Sequence, residues 1–292
     1  MGEFFALLTA ALWAGAVICF KLSGEHLPPL VLNLFRVAVS SVLLLATMLV
    51  VGQPPWRAAE GWHYLLIAAS GLIAIAISDT LFHASLNRIG AGLSAIVDSL
   101  YPPLTALFAF LILAERLTAG DLVGMVLVVA AVLLTTQARL PAGTTRTQLL
   151  VGLVLGALAM ATLGLGVVIV KPVLAEQPVI WVTGMRQFTA LAILVPSVAL
   201  SRDGARWREL LRLPRRAILL ALAGTVLGSF LALMFWIGGM KFTAAGTAAI
   251  LNQTAIIYIL ILATWILREP FTRRKLVACA LAVGGVVAVV AA

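Results

Sequence analysis

Charge is almost absent from ten stretches of this chain: residues 3–20, 29–51, 63–85, 91–113, 120–138, 149–170, 178–200, 215–237, 243–267 and 273–292. A bilayer core about 30 Å thick is crossed by roughly 20 apolar residues of α-helix. Each stretch therefore predicts one transmembrane helix. The polar connections are short. The longest are "ARLPAGTTRTQ" in the middle and "SRDGARWRELLRLPRR" between the seventh and eighth spans, so no soluble domain fits between spans. A membrane barrel is excluded, because its strands are short segments of alternating polarity rather than continuous apolar runs. The first stretch carries Glu3 where a secretion signal has its basic region, and is read as an uncleaved helix. Ala6 stands where N-myristoylation needs Ser or Thr.

The polar punctuation repeats. "ILAERLT" at Ile112–Thr118 returns as "ILREPFT" at Ile266–Thr272, 154 positions later. At the same shift Gly92 falls on Gly246, Ala95 on Ala249, Ile96 on Ile250 and Asp98 on Asn252. Earlier segments align at a shift of 150, which places Lys21 on Lys171 and Arg36 on Arg186. One small length difference between two copies accounts for both shifts. The expected fold is an all-α integral membrane protein of ten transmembrane helices, arranged as five-helix repeats over residues 1–140 and 141–292. Five is odd, so the second copy enters the bilayer from the opposite face. Inverted repeats of this kind recur in secondary transporters.

These residues resemble the drug/metabolite transporter superfamily in its ten-helix form with two EamA-type repeats. The resemblance rests on "LWAG" at Leu12–Gly15, Lys21 closing the first span, Arg36 in the second, "LYPPLTALFAFLILAERLT" and "ILREPFT". The second copy departs from the first in having Ile256 and Ile257 where Pro102 and Pro103 stand. The resemblance implies a carrier of small organic metabolites, often an exporter of amino acids, with the aromatic amino acid exporters the nearest relatives. It also implies residence in a bacterial cytoplasmic (inner) membrane.

Composition agrees with the span pattern. Of 292 residues 63% are hydrophobic and 11% charged, with a mean hydropathy of +1.13. Soluble domains carry about 25% charged residues. The net charge of +9 does not indicate nucleic acid, because the basic residues sit between spans, where they set orientation. Fourteen of the 20 Lys and Arg lie on the side reached after the first helix. The positive-inside rule then places both termini outside the cytoplasm, whereas the family resemblance implies termini inside. Cys19 and Cys279 show no metal or redox spacing and read as small buried hydrophobes. There is no P-loop, no HExxH and no nucleophile elbow, so neither ATP-driven pumping nor a known hydrolase motif is encoded, and no cofactor or metal is expected.

Ionisable groups at membrane depth cost about 2.5–3.5 kcal/mol on insertion scales, so they face a partner or a wet cavity. Asp79 and His83 lie four apart on one helical face, as a proton-sensitive pair or a structural hydrogen bond. Asp98, and Asn252 with Gln253, occupy equivalent repeat positions, as contacts to a polar or zwitterionic substrate or as helix–helix hydrogen bonds. Tyr101 stands beside Pro102 and Pro103, whose kink would free carbonyls to line a cavity or serve packing alone. Trp13 and Trp236 would wall an apolar cavity or face lipid. Arg36 and Arg186 either bind a carboxylate, snorkel, or pair with Glu115 and Glu269. Gly120/Gly124, Gly152/Gly156 and Gly224/Gly228 are small-xxx-small pairs for close packing. The expected partners are a small-molecule substrate, the lipid bilayer and protons as a candidate coupling ion, with no nucleic acid. The competing reading is an intramembrane enzyme using Asp79 and His83 as an acid–base pair.

Overall fold

A computed structural model describes residues 2–114, 118–135, 145–201, 214–236, 251–252 and 254–291. All regular structure among them is helical: α1 (Gly2–Ser23), α2 (Pro29–Val50), α3 (Gly61–Ser70), α4 (Ser78–Asp98), α5 (Tyr101–Leu113), α6 (Ala119–Thr135), α7 (Arg146–Glu176), α8 (Val179–Leu200), α9 (Arg215–Gly224), α10 (Ala255–Trp265) and α11 (Arg273–Val290). Two π-helical stretches interrupt the regular ladder. Gly71–Ile77 joins α3 to α4, and Thr225–Ala232 continues α9. Six runs are long and apolar enough to cross a membrane, and α5, α10 and the Leu122–Leu134 part of α6 are shorter apolar helices.

Helix ends follow local chemistry. Thr145 and Gln148 form a reciprocal capping box before α7. Thr272 accepts the Lys275 N–H before α11. Pro102 and Pro103 sit in the first turn of α5, where a missing N–H is harmless. The expected mid-span kink at these prolines is therefore a break: the chain leaves the helix after Asp98 and re-enters it at Tyr101.

The run Gly61–Asp98 has 38 residues, about 57 Å if straight, and so cannot be one span. It folds back at Gly90, whose φ of 81° is the left-handed value that glycine tolerates. A Cβ placed on Gly156 would touch both Ser85 and Val97, at 2.9 and 2.7 Å. Two residues on opposite sides of Gly90 thus meet one point of α7, as a helical hairpin requires.

Small residues and serines hold the hairpin to α7. Ser70, Ser78 and Ser85 donate to the backbone carbonyls of Gly166, Ala159 and Gly152 at 2.6, 2.7 and 2.8 Å. The register runs antiparallel over about four turns of each helix. Gly152 lies under Ile89 and Arg88, so the Gly152/Gly156 pair packs against α4. Likewise α1 packs on α9 and its π-helical continuation, α2 on α8, α5 on α7, α1 on α10 and α6 on α11.

Candidate functional site

The centre of the bundle is organised by α2, which presents Asn33 and Arg36 one turn apart. A π-helical stretch spoils the normal pairing of its carbonyls. Asn33 answers this by donating to the Ile75 and Ala76 carbonyls at 3.0 and 3.2 Å, and to the Thr80 hydroxyl at 2.9 Å. Arg36 reaches three partners. It donates to the Ser229 hydroxyl at 2.8 Å, in the second π-helical stretch, and to Asn33 Oδ1 at 3.2 Å. Its third partner is the Asp79 carboxylate, in an ion pair. Arg36 is 8% exposed, whereas the Asp79 side chain keeps 21% of its surface accessible. One guanidinium therefore ties α2 to both π-interrupted helices.

The structure corrects the expected Asp79–His83 pair. Asp79 is taken by Arg36, because a charge-assisted bond to a guanidinium outcompetes a neutral imidazole one turn away. His83 is 2% exposed and faces the Phe20 ring edge-on at 5.0 Å and Phe82 at 5.6 Å. Neither of its ring nitrogens has a hydrogen-bond partner among the described residues. No acid–base dyad is assembled there.

Other expected residues do converge. Trp13 lies against Phe82 with ring centroids 6.1 Å apart, and its six-membered ring lies 3.3 Å from where Gly228 would carry a Cβ. Its indole N–H faces the Asp98 carboxyl, which in turn senses the Asp79 charge. Tyr101, one turn beyond Asp98, is coupled electrostatically to Arg186. Trp13, Asp79, Asp98 and Tyr101 thus share one half-buried region. Asn252 and Trp236 are also half-buried, and Asn252 Oδ1 is buried without a partner, but no described hydrogen bond or ring contact joins either residue to that cluster. Gln253 lies outside the described residues.

Sequence reasoning missed the hub. Asn33 and Ser229 look like ordinary polar interruptions, and a π-helical stretch has no periodic signature. The expected pairing of arginine with Glu269 is also corrected. Glu269 accepts from the Ala91 and Gly92 amides at 2.6 and 3.1 Å and from Lys275 at 3.2 Å. The reason is Gly90: the sharp turn exposes a fresh helix N-terminus, which attracts a carboxylate. Glu115 lies outside the described residues. On the same face Lys21 donates to the Asn87 carbonyl at 3.0 Å, and Asn87 to the Gly24 carbonyl at 2.9 Å. A recess of about 130 Å³ opens nearby, between His26 in the turn after α1 and Ala217 in the first turn of α9. Among the described residues no three His, Cys, Asp or Glu side chains gather as metal ligands do.

A bundle of apolar helices with paired charges sealed in its middle defines a multi-pass membrane protein. The EamA-like transporter family model matches residues 1–137 and again 150–291, so the chain belongs to the EamA-like transporter family. One curated relative, an uncharacterized transporter YoaV of Bacillus subtilis (strain 168), is 24% identical over 138 residues. The match covers 46% of this chain and 46% of that protein, so the chain spans about half the length of the curated relative it matches. A solved crystal structure, described only as that of a protein, has the same fold at 18% identity and a TM-score of 0.65, over 98% of this chain and 95% of that one. Family membership and the transporter relative point to a membrane transporter.

Proposed function

We propose that the chain is a secondary transporter, an exporter of small organic metabolites with amino acids foremost, built from ten spans in two inverted five-helix repeats at residues 1–140 and 141–292. The carrying observation is a reciprocal contact. Ala16 of α1 meets Gly228, and Gly166 of α7 meets Ala74. Shifting Ala16 by 150 gives Gly166, and shifting Ala74 by 154 gives Gly228, the two shifts already read from the sequence. The π-helical stretches obey the same rule, since Gly71–Ile77 shifted by 154 falls within Thr225–Ala232. Each half thus packs on the other as the other packs on it, which supports a pseudo-twofold relation.

Such a pair moves by rocking one half against the other around a central site. Trp13 and Tyr101 supply aromatic walls there, Asp98 an acceptor for an ammonium group, and Asn252 a further polar contact from the second half. Trp236 and, by sequence position alone, Gln253 are further candidates for that lining. The Glu269 and Lys21 contacts close one face in the conformation described. The Arg36–Asp79 pair is the group through which protons would couple, because protonating Asp79 releases Arg36. The bacterial cytoplasmic membrane is the compartment this reading implies. The test is counterflow into liposomes holding the purified chain and loaded with individual labelled amino acids. Saturable accelerated exchange is expected for at least one of them, and absence of exchange for all twenty overturns the amino-acid assignment.

A further inference from the structure

The two repeat-related arginines are not equivalent in the folded chain. Arg36 has Asn33, Asp79 and Ser229 as partners. Carried into the other repeat by the shifts of 150 and 154, those three positions hold Thr183, Leu233 and Ile75. The second copy has its arginine but apolar residues in place of Asp79 and Ser229, and a threonine in place of Asn33. Arg186 is the eighth residue of α8, about 10 Å along the helix axis and so inside the bilayer. Its Nε is buried and has no hydrogen-bond partner, and the guanidinium donates no hydrogen bond to any described residue. The groups that act on it electrostatically are Tyr101, which is neutral, and Asp79, which already holds Arg36.

An unpaired guanidinium at this depth faces a wet cavity and marks a site for a group of opposite charge. The geometry points to Arg186 as the receptor for the carboxylate of the transported solute. A guanidinium matches a carboxylate in two parallel N–H···O bonds, which an ammonium cannot do. Tyr101 places this receptor next to the region occupied by Asp98 and Trp13. A zwitterion would then lie with its carboxylate on Arg186, its ammonium toward Asp98 and its side chain along Trp13. This assignment rests on the transport reading above, and adds the solute group that Arg186 selects.

The experiment compares each amino acid with its decarboxylated amine in liposome counterflow, beginning with L-phenylalanine and phenethylamine. Wild type is expected to favour the carboxylate member at least tenfold. Arg186→Gln lowers apparent affinity for L-phenylalanine at least tenfold, so the ratio within the pair collapses toward one. Arg186→Lys, which keeps the charge but not the fork, falls between and guards against a glutamine variant that does not fold. If wild type carries amine and amino acid equally well, the assignment fails while transport stands. If Arg186→Gln weakens both members alike, the residue is structural and the assignment fails. Exchange of neither member of any pair removes both readings together.

Discussion

At the scale of single residues, the decisive feature is one charge pair that spans three helices. Arg36 is buried and Asp79 half-buried, and Arg36 also holds Asn33 and Ser229. Removing one member of such a pair leaves the other uncompensated, at a cost of about 3 kcal/mol. Asp79→Ala and Arg36→Ala are each expected to lower unfolding stability in detergent by that order. The double variant should be less damaged than the sum of the two, by about 1–3 kcal/mol. Strict additivity in a chemical denaturation series would show that the pair is not coupled. Little of this was legible in the sequence. Asp79 and His83 have the correct spacing for a helical pair, yet spacing along one helix is blind to a cation arriving from another. His83 instead has aromatic neighbours, Phe20 and Phe82, and only the first of them comes from a distant helix.

Among the elements, the hairpin at Gly90 carries the clearest expectation. Any Cβ there meets the Glu269 carboxylate, and a side chain at φ 81° is strained in its own right. Gly90→Ala should therefore cost about 1–3 kcal/mol and loosen the Glu269 cap on Ala91 and Gly92. Reading the melting temperature of Gly90→Ala against Gly52→Ala separates the two causes. Gly52 also has positive φ, at 72°, but a Cβ there meets nothing within 4 Å. Equal losses in the two variants would assign the whole effect to backbone strain and remove the cap from the account. The apolar runs of the sequence foretold that helices lie on either side of residue 90. They did not foretell that a single glycine separates them, because α4 keeps its helical composition up to the turn. Nor did they foretell that the Pro102–Pro103 pair begins a helix rather than bending one, since a proline reads alike in both settings.

For the whole molecule, the sequence repeat and the three-dimensional packing are two records of one arrangement. The sequence held the offset in its polar marks. Its meaning appears only when Ala16–Gly228 and Gly166–Ala74 are seen to be the same contact made twice. The mirror also exposes an asymmetry. His63 on α3 meets Glu176 at the end of α7 at 2.9 Å. The equivalent positions on the other side, His26 and Ala217, flank the recess instead. One position is bridged by an ion pair, and its repeat-related counterpart carries none between His26 and Ala217. The proposed inversion has a direct topological consequence. Residues Gln53 to Arg57 follow the second span and residues Arg202 to Arg206 follow the seventh, which are corresponding connections in the two copies. If the copies are threaded oppositely, single cysteines in these connections must react with a membrane-impermeant thiol reagent from opposite sides of sealed vesicles. The background cysteines Cys19 and Cys279 are first replaced by alanine, since both sit within apolar helices and are unpaired. Labelling of both connections from one side would require an even number of spans per copy. The reciprocal contacts would then need an explanation other than a flipped duplicate.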